Sequence, residues 1–142
     1  ASDVYKRQVT TLSPDADILE ALALIDRTGY SQIPIYDSGV FQALLTTNVI
    51  ARWVAADLSD DGVINGASIS AVLTMAERKD RAEFLPRTAT AQEVIDVLTE
   101  PSADGTHPSA VLLTEHGKPS QRPVAIATPA DLATLVDALE WE

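Results

Sequence analysis

The chain has 142 residues and a mass of 15.2 kDa, and 46% of its residues are apolar, enough for one compact domain with its own core. With 10 basic and 21 acidic residues, its net charge of −11 repels the phosphate backbone of nucleic acids and argues against a DNA- or RNA-binding role. The absence of cysteine excludes disulfides, thiolate metal sites and a cysteine nucleophile. No apolar run approaches the roughly 20 residues that span a bilayer, and no secretory signal is visible, so we expect a cytoplasmic protein. Residues 1–8 carry no apolar periodicity, and we treat them as a fragment edge or an added extension.

Residues 12–25 (LSPDADILEALALI) predict the end of a strand, a polar turn and an amphipathic helix. Asp17 and Glu20 have the spacing of a capping box at the start of this helix, and Gly29 marks its end. The apolar residues recur at helical spacing: Ile18, Ala21, Leu22 and Ile25. The segment therefore predicts one strand and one helix.

The next segment predicts a hairpin, in which strands 33–36 and 41–45 flank a tight turn at residues 37–39. A second helix opens at Thr46 and continues through residue 55. One face of that helix is apolar and is expected to be core or a dimer surface: Val49, Ile50, Trp53 and Val54. An acidic, glycine-containing loop, residues 57–66, and a short apolar helix, residues 67–76, complete the first half.

The second half repeats this order of elements. Residues 85–98 align with residues 12–25, including a capping box at Thr90 and Glu93. Gly105 is predicted to end the helix, whose apolar residues are Val94, Ile95 and Leu98.

The remaining elements of the second half also match the first. Strand 110–113 aligns with strand 33–36, a longer turn follows at 116–119, and strand 124–127 precedes a helix that opens at Thr128. This final helix is predicted over residues 131–141, and Trp141 near its end favours an interface. The sequence thus predicts a β-α-β-β-α unit twice, with a first unit at 9–56, a connecting loop and helix at 57–80, and a second unit at 81–139.

Three stretches carry a family resemblance: TLSPDADILEALALI, GYSQIPIYD and the Thr-x-x-Asp of ATPADL. Together with the tandem repeat, they make residues 9–139 similar to the CBS-domain proteins, also called Bateman modules. The resemblance implies an α+β fold in which two β-α-β-β-α CBS motifs are related by a pseudo-twofold axis and form one Bateman module. It also implies nucleotide clefts between the motifs, and homodimers.

The segment Thr128-Pro129-Ala130-Asp131 is a strongly specified helix start, with threonine at the N-cap, proline at N1 and aspartate at N3. Such a start directs N–H groups and a hydroxyl toward whatever lies beyond the strand, where a phosphate or ribose fits. The resemblance implies that the Thr128 hydroxyl contacts phosphate and that the Asp131 carboxylate takes the ribose hydroxyls. The alternative is that the segment only caps a helix.

The first copy departs from this pattern at Thr46-Thr47-Asn48, because Val49 stands where the ribose-binding aspartate is expected. Asn48 can hydrogen-bond a hydroxyl or a base edge, but it cannot supply a negative charge. We therefore expect the two clefts to differ, and one of them need not bind a ligand.

The residues before the first strand of each hairpin occupy the place where the family holds adenine. Apolar and backbone contacts suit a purine there, and an ordinary strand start is the alternative. The candidates are Tyr30, Ser31 and Ile33 in the first copy and His107, Pro108 and Ser109 in the second.

No pattern of a catalytic site is present: GxSxG, GxxxxGK[ST] and HExxH are all missing. His107 and His116 are separated by a predicted strand, so we expect no metal site. We therefore expect no enzyme but a regulatory module that senses AMP, ADP or ATP and transmits binding to an unidentified regulated protein.

Two alternatives remain open. The combination of GYSQIP with TTN is similar to small stand-alone CBS pairs of Gram-positive bacteria that sense cyclic di-AMP. The other alternative is a structural dimerisation module that binds no ligand.

Overall fold

The computed structural model describes residues 9–62 and 65–140, apart from the side chain of Asp61. The chain divides into two compact units, one comprising Thr10–Asp80 (unit A) and the other beginning at Arg81 (unit B). The elements in chain order are α1 (Ile18–Thr28), β1 (Gln32–Asp37), β2 (Val40–Thr46), α2 (Thr47–Asp61), α3 (Ile69–Val72), β3 (Ala82–Pro86), α4 (Ala91–Thr99), β4 (Ala110–Thr114), β5 (Pro123–Ala127) and α5 (Leu132–Leu139). The α+β class expected from the resemblance is confirmed.

The sheet of unit A is the antiparallel hairpin of β1 and β2. Its turn consists of Ser38 and Gly39, whose φ angles of 51° and 81° are both in the left-handed region. A two-residue turn with this backbone matches the twist of the flanking strands. The strand predicted before α1 is reduced to one parallel bridge between Leu12 and Ile35.

The sheet of unit B has the order β3-β4-β5, with β4 parallel to β3 and antiparallel to β5. Each unit's hairpin contains an irregularity at the same place: after the pair Ile35 and Ala43 in unit A, and after the pair Leu113 and Ala125 in unit B. Ile35 is therefore equivalent to Leu113, and the predicted alignment of strands 33–36 and 110–113 is wrong by one residue.

The helix starts agree with the sequence pattern in one copy and differ in detail in the other. Thr90 and Glu93 form the predicted capping box of α4. In α1, the Asp17 side chain accepts from the N–H of Leu19 at 2.8 Å instead. Gly29 ends α1 as predicted, with φ 74° and its N–H bonded to the Ile25 carbonyl.

Gly105 does not end α4. The helix stops at Thr99, and Glu100 is extended because Pro101 follows it, and proline disfavours the helical conformation in the preceding residue. Gly105 instead occupies a turn, with φ 81° and its N–H donating to the Ser102 carbonyl.

Three other predicted boundaries change. Helix α2 continues into the predicted acidic loop as far as Asp61, because no glycine or proline interrupts it before Gly62, which caps it with φ 76°. The predicted helix 67–76 is α3 followed by one 3-10 turn, and α5 begins only after a 3-10 turn at Pro129–Asp131. Residues 1–8, residues 63–64 and Trp141 lie outside the described residues.

Each unit has its own hydrophobic core. In unit A, α1 and α2 pack with the hairpin, and Trp53 is 8% exposed, which confirms that its face of α2 is core. In unit B, α4 and α5 cover β4 and β5, with Leu113 and Leu135 in the core. Among the described residues, no helix is long and apolar enough to cross a membrane.

Tyr36, near the end of β1, is the unusual polar residue of unit A. Its ring packs edge-on against Phe41, with centroids 5.6 Å apart, and its hydroxyl is buried without a hydrogen-bond partner among the described residues. Burial raises the pKa of Tyr36 to about 12.

We predict that Tyr36 ionises near pH 12 and that Tyr36→Phe removes this late step. The neutral phenol is favoured in the folded protein, so its contribution to stability is present below pH 10 and is lost as the pH rises through about 12. Ultraviolet phenolate absorbance during an alkaline titration measures the step, and Tyr30→Phe is the control that should leave it unchanged. If the late step persisted in Tyr36→Phe, the assignment would be wrong.

Candidate functional site

The start of the last helix in unit B forms a compact polar turn. The N–H of Thr128 donates to Asp131 Oδ2 at 2.8 Å, and the Thr128 hydroxyl donates to the same oxygen at 3.3 Å. The Asp131 N–H donates back to the Thr128 carbonyl at 2.8 Å. Thr128 is buried and Asp131 is half-buried, so the carboxylate is held in place at the surface of unit B.

A cavity of about 330 Å³ lies beside this turn within unit B. Its walls are mostly apolar and come from three parts of the unit: the end of α4, the segment before β4 and the start of the last helix. They are Leu98, Thr99, His107, Pro129 and Leu132. The volume is in the range of small-ligand sites. His107, from the segment that was predicted to hold adenine, and Pro129 thus line the same cavity. Pro129 lies between Thr128 and Asp131 in the chain.

The three candidate residues before β4 have different environments. His107 is exposed and lines the cavity, whereas Pro108 is buried. Ser109 is half-buried, and its N–H donates to the Arg81 carbonyl at 2.9 Å. Of the three, only His107 contributes to the cavity lining.

Arg81 holds the loop that carries these residues, although no sequence pattern pointed to it. Its guanidinium donates to the Thr106 hydroxyl at 2.9 Å, to the Thr106 carbonyl at 3.2 Å and to the Ser102 hydroxyl, and its Nε pairs with Glu83. The side chain is 14% exposed. No local pattern could have linked residue 81 to residue 106, because the two are brought together only by the fold.

The corresponding helix start in unit A is closed by a different set of contacts. The Thr46 hydroxyl accepts from the N–H of Val49 at 3.1 Å and donates to Asp80 Oδ1 at 2.9 Å. A hydroxyl has a single proton to donate. The hydroxyl of Thr46, a candidate ligand-binding residue of the first copy, therefore donates to a carboxylate of the same chain.

Asp80 is a buried charge with an ordered set of partners. Its side chain is 0% exposed, and its Oδ2 pairs with the guanidinium of Arg52 and accepts from the N–H of Glu77 at 2.9 Å. Arg52 is itself positioned by a bond from Nε to the Met75 carbonyl at 3.0 Å and by the Glu77 carboxylate at 3.5 Å. The arrangement neutralises and hydrogen-bonds a carboxylate that would otherwise be costly to bury.

The fold brings some of the other candidate ligand-binding residues of the first copy together. Thr47 and Asn48 are exposed in the first turn of α2, and the Thr47 N–H donates to the Ser31 carbonyl at 3.0 Å. Tyr30 is half-buried. Ile33 is 1% exposed and belongs to the core of unit A, so its side chain is used in packing.

We predict that Arg52→Met lowers the free energy of unfolding by about 3 kcal/mol, because it leaves the Asp80 carboxylate buried without its cation. The matched control is Arg87→Met, since Arg87 pairs with Glu115 and both side chains are more than half exposed. Arg87→Met should lower the free energy of unfolding by less than about 1 kcal/mol. Urea unfolding measures both variants, and two equally small losses would contradict the importance of the Arg52 ion pair.

The comparisons with known proteins agree with this architecture. Residues 1–55 match the family model described as CBS domain. No curated protein matches the chain in sequence.

Solved structures resemble the chain over nearly its whole length. A putative signal-transduction protein with CBS domains from Burkholderia ambifaria is 14% identical with a TM-score of 0.65, and the match covers 94% of this chain and 85% of that one. The CBS domain pair of protein MJ0100, in complex with 5′-methylthioadenosine and S-adenosyl-L-methionine, is 17% identical with a TM-score of 0.66, covering 97% and 95%. CBSX2 in complex with AMP is 10% identical with a TM-score of 0.62, covering 93% and 90%.

Sequence identities this low indicate a similar fold only. The match to the family model is a match in sequence, and it covers the first copy. Residues 1–55 are therefore similar in sequence to a CBS domain, and the chain has, along its length, a fold similar to that of CBS-domain pairs, or Bateman modules.

Proposed function

We propose that the chain is a regulatory module that binds an adenosine ligand of the AMP, ADP or ATP class at the start of the last helix in unit B. The observation that carries the proposal is the cavity lined by both His107 and Pro129, because Pro129 belongs to the turn that Thr128 and Asp131 form. The ligands of the MJ0100 and CBSX2 structures, which are adenosine derivatives, support this choice of ligand class.

The apolar part of the cavity suits the base. Leu98, Pro129 and Leu132 offer aliphatic surface to the flat faces of a purine, and the exposed His107 ring lies at the same cavity. Small-ligand sites combine such a lining with a few polar groups that orient the ligand. In the proposed complex the adenine is held by this lining and the sugar by the polar turn.

Asp131 is the polar group proposed for the ribose. Its Oδ2 accepts two hydrogen bonds from Thr128, which hold the carboxylate in a fixed orientation. In the proposed complex the ribose hydroxyls donate to this carboxylate. Thr128 is buried, and its hydroxyl must turn away from Asp131 to reach a phosphate; the present 3.3 Å bond is long for a hydroxyl and a carboxylate.

The proposed regulatory mechanism is linkage. A ligand that binds one arrangement of the protein better than another shifts the population between them, and a partner protein reads the shift. We propose a homodimer as the functional assembly and a separate regulated protein as its target. The sites named here have no role in catalysis under this proposal, in keeping with the regulatory role that is typical of CBS domains.

The choice between a mononucleotide and cyclic di-AMP depends on the helix start of the first copy. A cyclic di-AMP site that included Thr46 would compete with the hydrogen bond from Thr46 to Asp80, which is a reason to prefer the mononucleotide. A purely structural dimerisation module would bind none of these ligands.

We predict that Asp131→Ala weakens binding of the adenosine ligand about ten- to a hundred-fold, because a hydrogen bond to a charged group is worth roughly 1.5 to 3 kcal/mol. The fold should survive, since a cap residue contributes only about 1 kcal/mol. A thermal-shift panel with AMP, ATP, cyclic di-AMP and S-adenosylmethionine identifies the ligand, and calorimetry then measures its Kd.

Asn48→Ala is the control for Asp131→Ala and should change the affinity less, because Asn48 is exposed in the first copy, which lacks the acid. Unchanged affinity in a folded Asp131→Ala protein would show that Asp131 does not hold the ligand. Loss of binding in Asn48→Ala would move the ligand to the first copy and favour cyclic di-AMP. A protein that binds none of the panel would be a structural module.

We also predict that Arg81→Gln weakens binding of the same ligand about tenfold, because the loop from Ser102 to His107 loses its three hydrogen bonds from the guanidinium. Arg87→Gln is the matched control in the same unit, since neither Arg87 nor its exposed partner Glu115 is among the residues that line the cavity. Hydrogen exchange of the Thr106 and Ser109 amides should become faster in Arg81→Gln only. Equal affinities for the two variants would refute this role of Arg81.

A further inference from the structure

Three donors converge on the Asp80 carboxylate from different parts of unit A. They are the Thr46 hydroxyl at the start of α2, the Arg52 guanidinium from the second turn of α2, and the Glu77 N–H from the segment after α3. A guanidinium, a hydroxyl and a backbone N–H are the groups with which proteins bind carboxylates and phosphates. The arrangement therefore has the chemistry of an oxyanion site, and the bound oxyanion is a side chain of the chain itself.

At the helix start of unit A, Asp80 takes the place that Asp131 has at the helix start of unit B. In unit B, the hydroxyl of the N-cap Thr128 donates to Asp131, the acid at the third helical position. In unit A that position is Val49, which is 0% exposed and packs in the core, and the hydroxyl of Thr46 donates to Asp80 instead. Each N-cap threonine thus faces one carboxylate, but that of unit B is half-exposed and that of unit A is 0% exposed and paired with Arg52.

We propose that Thr46, Arg52 and the Glu77 N–H form an oxyanion-binding site whose permanent occupant is Asp80, so that this helix start is closed to a carboxylate or phosphate from solution. A tethered carboxylate has a high effective concentration at its site, and an external anion would have to displace it. Removing the Asp80 carboxylate should therefore open a site for a small carboxylate.

The site can be tested by chemical rescue, with formate as the probe. Asp80→Ala should lower the Tm by about 10 °C, because the Arg52 guanidinium loses a buried partner. Formate has the size of the missing carboxylate, and it should raise the Tm of Asp80→Ala saturably, by roughly 5 °C at concentrations well above its Kd. Sodium chloride at equal ionic strength should not reproduce this rise.

Two controls separate site binding from a general salt effect. The wild-type protein should respond to formate no more than to chloride, because Asp80 fills the site. The double variant Arg52→Met/Asp80→Ala should also fail to respond, because the cation is missing. A formate effect of equal size in the wild type, or in the double variant, would overturn the proposal.

Asp80→Ala can also be tested if it does not fold in chloride. In that case far-UV circular dichroism follows refolding from urea in formate and in chloride, and recovery of the folded spectrum in formate alone supports the site. A variant that stays unfolded at every formate concentration would overturn the proposal.

The consequence for ligand binding rests on the proposed function. With the helix start of unit A closed, each chain should bind one adenosine ligand, and Asp131→Ala should weaken that single event. Calorimetry gives the stoichiometry, and two equivalent ligands per chain would contradict the closed site. If no adenosine ligand bound at all, the proposed function would fail, whereas the formate experiment would still decide whether Asp80 occupies an oxyanion site.

Discussion

The pairing of a buried threonine cap with a carboxylate is the interaction on which both halves of this molecule depend. At the end of the second strand of each hairpin the chain must turn from strand to helix, and the first N–H groups of the helix need acceptors. Thr46 and Thr128 are both buried at this point, and each hydroxyl is bonded to an aspartate. The two aspartates differ in position and exposure, and we propose that this difference leaves the helix start of unit B open to a ligand and closes that of unit A.

In unit B the aspartate is three residues after the threonine and half-exposed, and Pro129 of the same turn lines an apolar cavity. In unit A it comes from residue 80, at the boundary with the next unit, and it is buried with Arg52. The adjacent residue, Arg81, is anchored in unit B through Thr106 and Ser102. Two neighbouring residues of opposite charge thus have their bonding partners in different units.

The predictions from sequence succeeded where local chemistry decides structure. The φ requirement of the Ser38-Gly39 turn, the capping box of Thr90 and the stop at Gly29 depend on residues within a few positions of one another. The predictions failed where two local signals competed. Gly105 was a plausible helix end, but Pro101 acts earlier in the chain and ends the helix first.

The sequence by itself determined the repeated order of helix, hairpin and helix, the family resemblance and the presence of an acid at Asp131 where the first copy has Val49, because periodicity, caps and turns are local properties of the chain. Only the tertiary structure decided that Asp80 lies at Thr46, that Arg81 holds the loop before His107, and that this loop shares a cavity with Pro129. The physical reason is distance along the chain. Contacts between residues 25 or 34 positions apart depend on how the strands and helices pack, and a charged side chain gives no sign in the sequence of which partner will neutralise it.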